Sequence, residues 1–254
     1  LELIDALILG AVQGIAEWLP VSSSGHLVVF RRLFGLESGV SFDIFLHFSA
    51  LLVILIFFRK DIISIFKKLP QGGRRSSEFR FLLNVAAATA VTAIFGIFLR
   101  PYMASLSTIK TVPFTFLFTS LLLFASRKKG KTSHPGITLK KALFIGMMQG
   151  IALFPGVSRS GATISAAKMA GAENEEAFRF SFLLAIPAIS GAILFEMGKL
   201  KMMPFPFLLA GFSASFLLGL ASLSFLKKTL IKGRFHLFGF YTLALSLLLF
   251  FFRL

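Results

Sequence analysis

"GAVQGIAEWLPVSSSG" spans residues 10–25, and "GMMQGIALFPGVSRSG" spans residues 146–161. Overlaid without a gap, Gly10, Gln13, Gly14, Ile15, Ala16, Val21, Ser22, Ser24 and Gly25 fall on Gly146, Gln149, Gly150, Ile151, Ala152, Val157, Ser158, Ser160 and Gly161. The match is too long and too polar for chance, and it divides the chain into two copies of one unit. A fainter echo pairs "SLLLFASR" (120–127) with "SLLLFFFR" (246–253) near the end of each copy.

The surroundings of these stretches fix their setting. The chain has 254 residues and is 56% hydrophobic, with a mean hydropathy of +0.84. That composition belongs to a polytopic membrane protein rather than a soluble domain. Six stretches are apolar enough to cross a bilayer: about 41–58, 80–99, 110–126, 177–198, 204–226 and 235–252. Two further apolar stretches, about 3–35 and 139–170, are interrupted, the first at Pro20 and its serine run and the second at Pro155-Gly156. The piece after the first break, about 24–35, gives a helix of roughly 18 Å, too short for a hydrocarbon core of about 30 Å. Each is therefore read as a re-entrant hairpin that enters, breaks and returns. Irregular backbone at that depth must be buried in protein or line a wet cavity.

Each copy then holds one hairpin and three crossings, residues 1–127 and 128–254 within one structural domain. Three is odd, so the second copy is inverted relative to the first. The expected fold is an all-α integral membrane protein with an inverted-topology repeat, and its site lies where the two broken segments meet. Gly10-x-x-x-Gly14 and Gly146-x-x-x-Gly150 supply the small-residue spacing that lets membrane helices touch closely.

The net charge is +16, from 27 Lys+Arg against 11 Asp+Glu. In a soluble chain this would point to nucleic acid; here the basic residues sit between apolar runs and set orientation. Arg59, Lys60, Lys67, Lys68, Arg74, Arg75 and Arg80 crowd one connection, Arg127, Lys128, Lys129, Lys131, Lys140 and Lys141 a second, and Lys227, Lys228, Lys232 and Arg234 a third. The connections 100–110 and 199–203 are sparse by comparison. The dense loops are expected on the cytoplasmic side and the C-terminus outside. Glu2 and Asp5 stand where a basic leader region would lie, so no cleavable signal peptide is expected. With no cysteine, thiol and disulfide chemistry are excluded.

The polar residues of the two breaks form a chemical set. Gln13 and Glu17, four apart, share a helix face. Ser22, Ser23 and Ser24 offer hydroxyls and an N-cap, and His26 follows on the first turn of the next helix. In the second break Arg159 replaces Ser23, flanked by Ser158 and Ser160, with Thr163 one turn on. Helix N-termini cradle phosphate, a guanidinium grips it bidentately, and a carboxylate can hold a divalent ion bridging phosphate oxygens. Serine and glycine runs in membrane helices also serve close packing, and a lone histidine is as often structural as catalytic. Glu17, Arg159 and His26 together argue for function, because intramembrane charge is costly. Asp43 and His47, four apart on the next span, read first as a helix-end residue and a polar contact and second as members of the same site. Lys168, Glu173, Glu175 and Glu176 read as loop or interface groups, Arg179 as a snorkelling side chain and Trp18 as packing.

"QGIAEWLPVSSSGH" (13–26) and "PGVSRSGAT" (155–163) resemble the two signature motifs of the undecaprenyl-pyrophosphate phosphatase, or bacitracin-resistance, family; "FSFLLAIPA" (180–188) and the chain length fit as well. The resemblance implies a membrane phosphatase that removes the terminal phosphate of a polyprenyl diphosphate, recycling the carrier for cell-envelope glycans. It implies Mg²⁺ or Ca²⁺ and a site opening to the outer side of the cell membrane. Residue by residue it implies Glu17, with Gln13, for metal and phosphate, Ser23 as nucleophile, His26 as acid/base and Arg159 as clamp. Ser158 and Thr163 match the remaining positions, and Ser22, Ser24 and Ser160 join the substrate set. The first motif begins with Gln13 where a glutamate is also allowed, which leaves one carboxylate fewer for an ion. The expected partners are the lipid diphosphate, the membrane and a second copy in a homodimer, with no nucleic acid. Inverted repeats also build transporters, so a lipid-phosphate flippase, alone or combined with the phosphatase, is the rival reading.

Overall fold

The computed structural model describes residues 2–36, 39–73, 76–127 and 136–252. Arg74, Arg75, Lys128, Lys129 and Lys131 of the basic loops lie outside the described residues. Within the described residues the chain is helical, without strands. A broken pair, α1 (Leu3–Trp18) and α2 (Ser23–Phe34), comes first. It is followed by α3 (Val40–Phe57), α4 (Arg59–Gly72), α5 (Ser77–Leu99), the single turn α6 (Met103–Leu106) and α7 (Val112–Ala125). A second broken pair, α8 (Leu139–Ile151) and α9 (Arg159–Met169), precedes α10 (Asn174–Glu196), α11 (Phe205–Ile231) and α12 (Leu237–Phe251).

Helices α3, α5, α10 with its continuation to Lys199, and α11 are long and apolar enough to cross a membrane. This is a multi-pass, all-helical membrane protein. Two of the six expected crossings come out short: α7 has 14 residues and α12 has 15, about 21 and 22 Å at 1.5 Å per residue. The start of α7 is held back by a turn in which Thr111 Oγ1 donates to the Thr108 carbonyl at 2.8 Å. Pro113 then opens the helix, where its missing N–H is harmless. The connection 59–80, expected to be loop, is largely the helix α4. Ile62, Ile65 and Leu69 recur along one side of it among the basic residues, and Ile65 is buried. The pattern is amphipathic.

Lipid is as apolar as leucine, so burying apolar side chains does little to hold membrane helices together; close backbone approach and hydrogen bonds carry more. The contacts follow that rule. Helix α1 lies against α11, α8 against α5, and α7 against α12. A Cβ on Gly10 would fall 2.3 Å from the Gly211 carbonyl oxygen, one on Gly14 2.4 Å from that of Ser215, and one on Gly146 2.5 Å from that of Ala88. Hydroxyls stitch the seams of α3 on α11 and of α8 on α5. Ser49 donates to Ser215 at 2.9 Å, Gln149 Nε2 to Thr92 at 3.0 Å, and Thr92 to the Gly146 carbonyl at 3.1 Å. Trp18, fully buried, tilts against Phe182, and that ring packs on Phe178 and Phe58. This aromatic cluster fixes the end of α1 and with it the carboxylate of Glu17.

Candidate active site

Helix α1 stops because Pro20 cannot continue it; Leu19 and Val21 are joined by a 2.7 Å backbone bond. Ser22 then adopts φ 71°, the one non-glycine positive φ among the described residues. Such a conformation costs on the order of 1–3 kcal/mol and persists only where the surroundings enforce it. Here the Ser22 hydroxyl caps α2, accepting from the Gly25 N–H at 3.3 Å. In the second break Gly156 takes φ +93°, and Ser158 caps α9 by accepting from the Gly161 N–H at 3.1 Å.

The two breaks clasp each other. Ser24 Oγ accepts the Gly156 N–H at 3.2 Å, and Ser160 Oγ donates to the Leu19 carbonyl at 3.2 Å. A Cβ on Gly25 would meet the Gly156 Cα at 2.9 Å, and one on Gly161 the Pro20 Cβ at 3.4 Å. Both helix N-termini, with their unpaired N–H groups and positive dipole ends, are therefore brought to one place.

Glu17 is the centre of the arrangement. Its Oε1 accepts from Arg159 Nη2 at 2.7 Å. Its Oε2 accepts from the Ser23 hydroxyl at 2.6 Å and from Gln13 Nε2 at 3.2 Å. The side chains of Arg159 and Glu17 are 15% and 9% exposed, so each charge depends on the other. Arg159 Nη1 is buried without a hydrogen-bond partner, leaving one arm of the guanidinium fork unused. Four of the ten expected site residues, Gln13, Glu17, Ser23 and Arg159, thus meet directly.

The other six divide by task. Ser22 and Ser158 are caps, and Ser24 and Ser160 join the breaks. Thr163, fully buried, donates to the Arg159 carbonyl at 2.8 Å and pairs with Ser181; it steadies the turn that carries Arg159. His26 faces away from Ser23: its Nδ1 lies 2.7 Å from the Ser22 carbonyl and its Nε2 2.7 Å from the Tyr241 hydroxyl. A carbonyl only accepts, so Nδ1 carries a proton. In the neutral ring Nε2 then accepts from Tyr241. The expected contact between Ser23 and His26 is replaced by one between Ser23 and Glu17, because the strained Ser22 turn points its carbonyl at the imidazole.

A cleft of about 160 Å³ opens beside this centre, lined among others by Gln13, Ser23, Arg31, Asp43, His47 and Ser107. Arg31 Nη2 pairs with Asp43 Oδ1 at 2.5 Å across it. Asp43 and His47, read from sequence first as structural and second as site residues, line the cleft. Arg31 and Tyr241 were missed by sequence reasoning. Arg31 had a signal: with Ser23 and Leu27 it recurs every four residues on one face of α2. Tyr241, one of two tyrosines in the chain, had only its polar tip in an apolar helix. Lys168 is buried with its ammonium 5.4 Å from the Phe235 ring. Arg179 bonds Asp61 at 2.7 Å; both lie away from the cleft.

Comparison with known proteins gives a consistent result. The family model described as bacitracin resistance protein BacA matches residues 6–248. The chain is 38% identical over 258 residues to the undecaprenyl-diphosphatase of Korarchaeum cryptofilum, covering 97% of this chain and 98% of that protein. It is 40% identical over 247 residues to the undecaprenyl-diphosphatase of Thermosipho africanus, covering 96% and 98%. Over 267 residues it is 36% identical to that of Methanosphaera stadtmanae, covering 98% and 97%.

Proposed function

The chain belongs to the bacitracin resistance protein BacA family, and from that premise we infer that it is an undecaprenyl-diphosphatase. It hydrolyses the lipid diphosphate to the monophosphate and inorganic phosphate and so returns the carrier to cell-envelope synthesis. The observation that carries the chemistry is Glu17, held by Ser23 from one break and Arg159 from the other. A transport site needs no serine hydroxyl hydrogen-bonded to a carboxylate, and no observation favours the flippase reading. The test is phosphate release from undecaprenyl diphosphate by purified protein in detergent, where there is no second compartment. Turnover is expected; binding without release would overturn the assignment.

In the mechanism we propose, Ser23 Oγ attacks the terminal phosphorus while Glu17 Oε2 takes the hydroxyl proton along their 2.6 Å hydrogen bond. The bond from that phosphorus to the bridging oxygen breaks, and the prenyl monophosphate leaves. Arg159, already held by Glu17 through Nη2, turns its unpartnered Nη1 to the transferring oxygens. Water then attacks the phosphoserine phosphorus and passes a proton to His26 Nε2, once that ring turns from Tyr241 toward the phosphoryl group, while Glu17 returns its proton to Ser23 Oγ as the P–Oγ bond breaks and inorganic phosphate leaves. Two displacements retain configuration at phosphorus. A chiral terminal thiophosphate tests this, and inversion would remove Ser23 as nucleophile.

A divalent ion fits the residues present in a limited way. Glu17 and the amide oxygen of Gln13 are hard oxygen donors at the cleft, but no group of three acidic or histidine side chains is assembled among the described residues. Such a site holds Mg²⁺ or Ca²⁺ weakly until substrate phosphates complete the shell. When bound, the ion would neutralise phosphate charge that the paired Arg159 and Glu17 leave uncompensated.

The fold carries two further proposals. We propose that residues 1–127 and 128–254 are inverted copies and that each broken pair is re-entrant. In support, Ser22 and Ser158 make the same cap, and Ser24 and Ser160, at matching positions, each bond the backbone of the opposite break. The seam of α1 on α11 is answered by that of α8 on α5. We also propose that the cleft opens to the outer side. Ser107, from the sparsely basic connection 100–110, lines it. The Lys201 N–H, from the other sparse connection, bonds Ser41 at the start of α3. At the opposite end of α3, Asp61 pairs with Arg179 near the start of α10. Asn174 there bonds the Leu230 carbonyl, beside the basic residues 227–234.

A further inference from the structure

We propose that Arg31 is a substrate-selecting residue: it grips the phosphate bonded to the prenyl chain, so that the cleft recognises a diphosphate and not a single phosphate. The inference rests on the phosphatase reading and extends it to the second phosphate, which neither Arg159 nor Ser23 serves.

The geometry begins with α2. Ser23, Leu27 and Arg31 stand four residues apart on one face, and all three line the cleft, with Ser24 and Val28 beside them. Arg31 sits about 12 Å further along the axis than Ser23 at 1.5 Å per residue. Helical side chains lean back toward the N-terminus, so the long guanidinium reaches toward the Ser23 end. A terminal phosphate at Ser23 places its neighbour on the Arg31 side of the cleft. Leu27, Val28 and Leu46 form the apolar lining between, and Arg31 is the one arginine or lysine among the described residues that line the cleft, which His47 also borders.

Arg31 is also prepared for an anion. Asp43 Oδ1 engages Nη2, while Nε is shielded from solvent and has no hydrogen-bond partner. A buried donor left unpaired is costly for a charged group, and a phosphate oxygen would relieve it after a small rotation. Asp43, on the first turn of α3, is the positioning residue that holds the fork through Nη2. The pair is 29% exposed on both sides, so it sits at the entrance, where an incoming headgroup meets it before reaching Ser23.

The two phosphate positions can be separated with non-hydrolysable probes. Methylenediphosphonate fills both; inorganic phosphate fills only the terminal one. Each is titrated, with Mg²⁺ present, as a competitive inhibitor of undecaprenyl diphosphate hydrolysis and as a ligand that raises the melting temperature in detergent. In Arg31→Gln the diphosphonate inhibition constant is expected to rise about thirtyfold, near 2 kcal/mol at 1.4 kcal/mol per decade, while that of phosphate moves by less than about twofold. Asp43→Asn should shift the diphosphonate alone, by a smaller factor. Arg31→Lys, which keeps a charge, should recover part of the loss and guards against a folding defect in the glutamine variant. Equal weakening of both probes, or of neither, overturns the proposal. If the parent protein releases no phosphate, the phosphatase reading fails instead, and the melting shifts still decide whether Arg31 discriminates.

Discussion

Glu17→Gln separates the roles that converge on one carboxylate. The carboxylate accepts from Arg159, Ser23 and Gln13; the amide that replaces it keeps one acceptor oxygen and turns two donors toward groups that are donors themselves. Loss of a general base typically costs 10²–10⁴ in rate, or about 2.7–5.4 kcal/mol at 1.36 kcal/mol per decade. Stripping one partner from a buried ion pair costs about 3–5 kcal/mol of stability. Arg159 is 15% exposed beside an open cleft, so the lower end of that range applies. The expected result is a fall in kcat of at least about a hundredfold and a lower melting temperature in detergent. Glu17→Gln combined with Arg159→Met removes the stranded charge; it should recover the melting temperature and none of the activity. The assay is phosphate release at saturating undecaprenyl diphosphate from the purified protein. Turnover of Glu17→Gln within about threefold of the parent would refute the reasoning and remove Glu17 from the reaction.

Arg159→Lys keeps the charge and loses the planar fork; kcat should drop at least about a hundredfold with little change in melting temperature, and parental activity would show that charge alone suffices. Gly25→Ala places a Cβ 2.7 Å from the Phe116 ring and 2.9 Å from the Gly156 Cα. Overpacking of this kind costs about 1–3 kcal/mol, so both stability and turnover should fall; an unaltered melt would contradict the close approach of the two breaks. EDTA should abolish hydrolysis and added Mg²⁺ or Ca²⁺ restore it, a requirement that full activity after exhaustive chelation would disprove. The chain has no cysteine, so a single Ser133→Cys reports cleanly. An impermeant thiol reagent should leave it unlabelled in intact cells, and labelling there would reverse the orientation.

What the sequence revealed follows from which forces are local. Proline at position 20, the serine caps and the Gly-x-x-x-Gly spacing act within one or two turns, so the breaks, the starts of α2 and α9 and the small-residue faces could all be read directly. The meeting of Glu17 with Arg159 was legible only because the repeated stretch implied that its two copies share a purpose. Partners without a repeat stayed hidden: Tyr241 reaches His26 across 215 positions, and no local pattern encodes that. The direction of the His26 ring depends on the backbone of Ser22, whose φ 71° runs against the ordinary preference of serine. The amphipathic α4 was obscured by its own basic residues, which set topology and helix face at once. The lengths of α7 and α12 were overestimated because hydropathy runs through the turns at Thr108–Thr111 and at Arg234–His236 that precede the helices.

The seam between α1 and α11 has a consequence for biogenesis. Gly10 packs on Gly211, so α1, once it leaves the ribosome, waits for a partner encoded roughly 200 residues later. At about 5–20 residues per second that wait lasts about 10–40 s. Throughout it, the arm carrying Gln13 and Glu17 sits in or beside the bilayer without Arg159, which is also still to be made. An unpaired carboxylate at that depth is costly, and α9 supplies the guanidinium that pairs with it. Nascent chains arrested before residue 159 should therefore stay with the insertion machinery, whereas chains extended beyond α11 should leave it, because the ion pair of Glu17 and Arg159 can close only when both halves of the chain have been made.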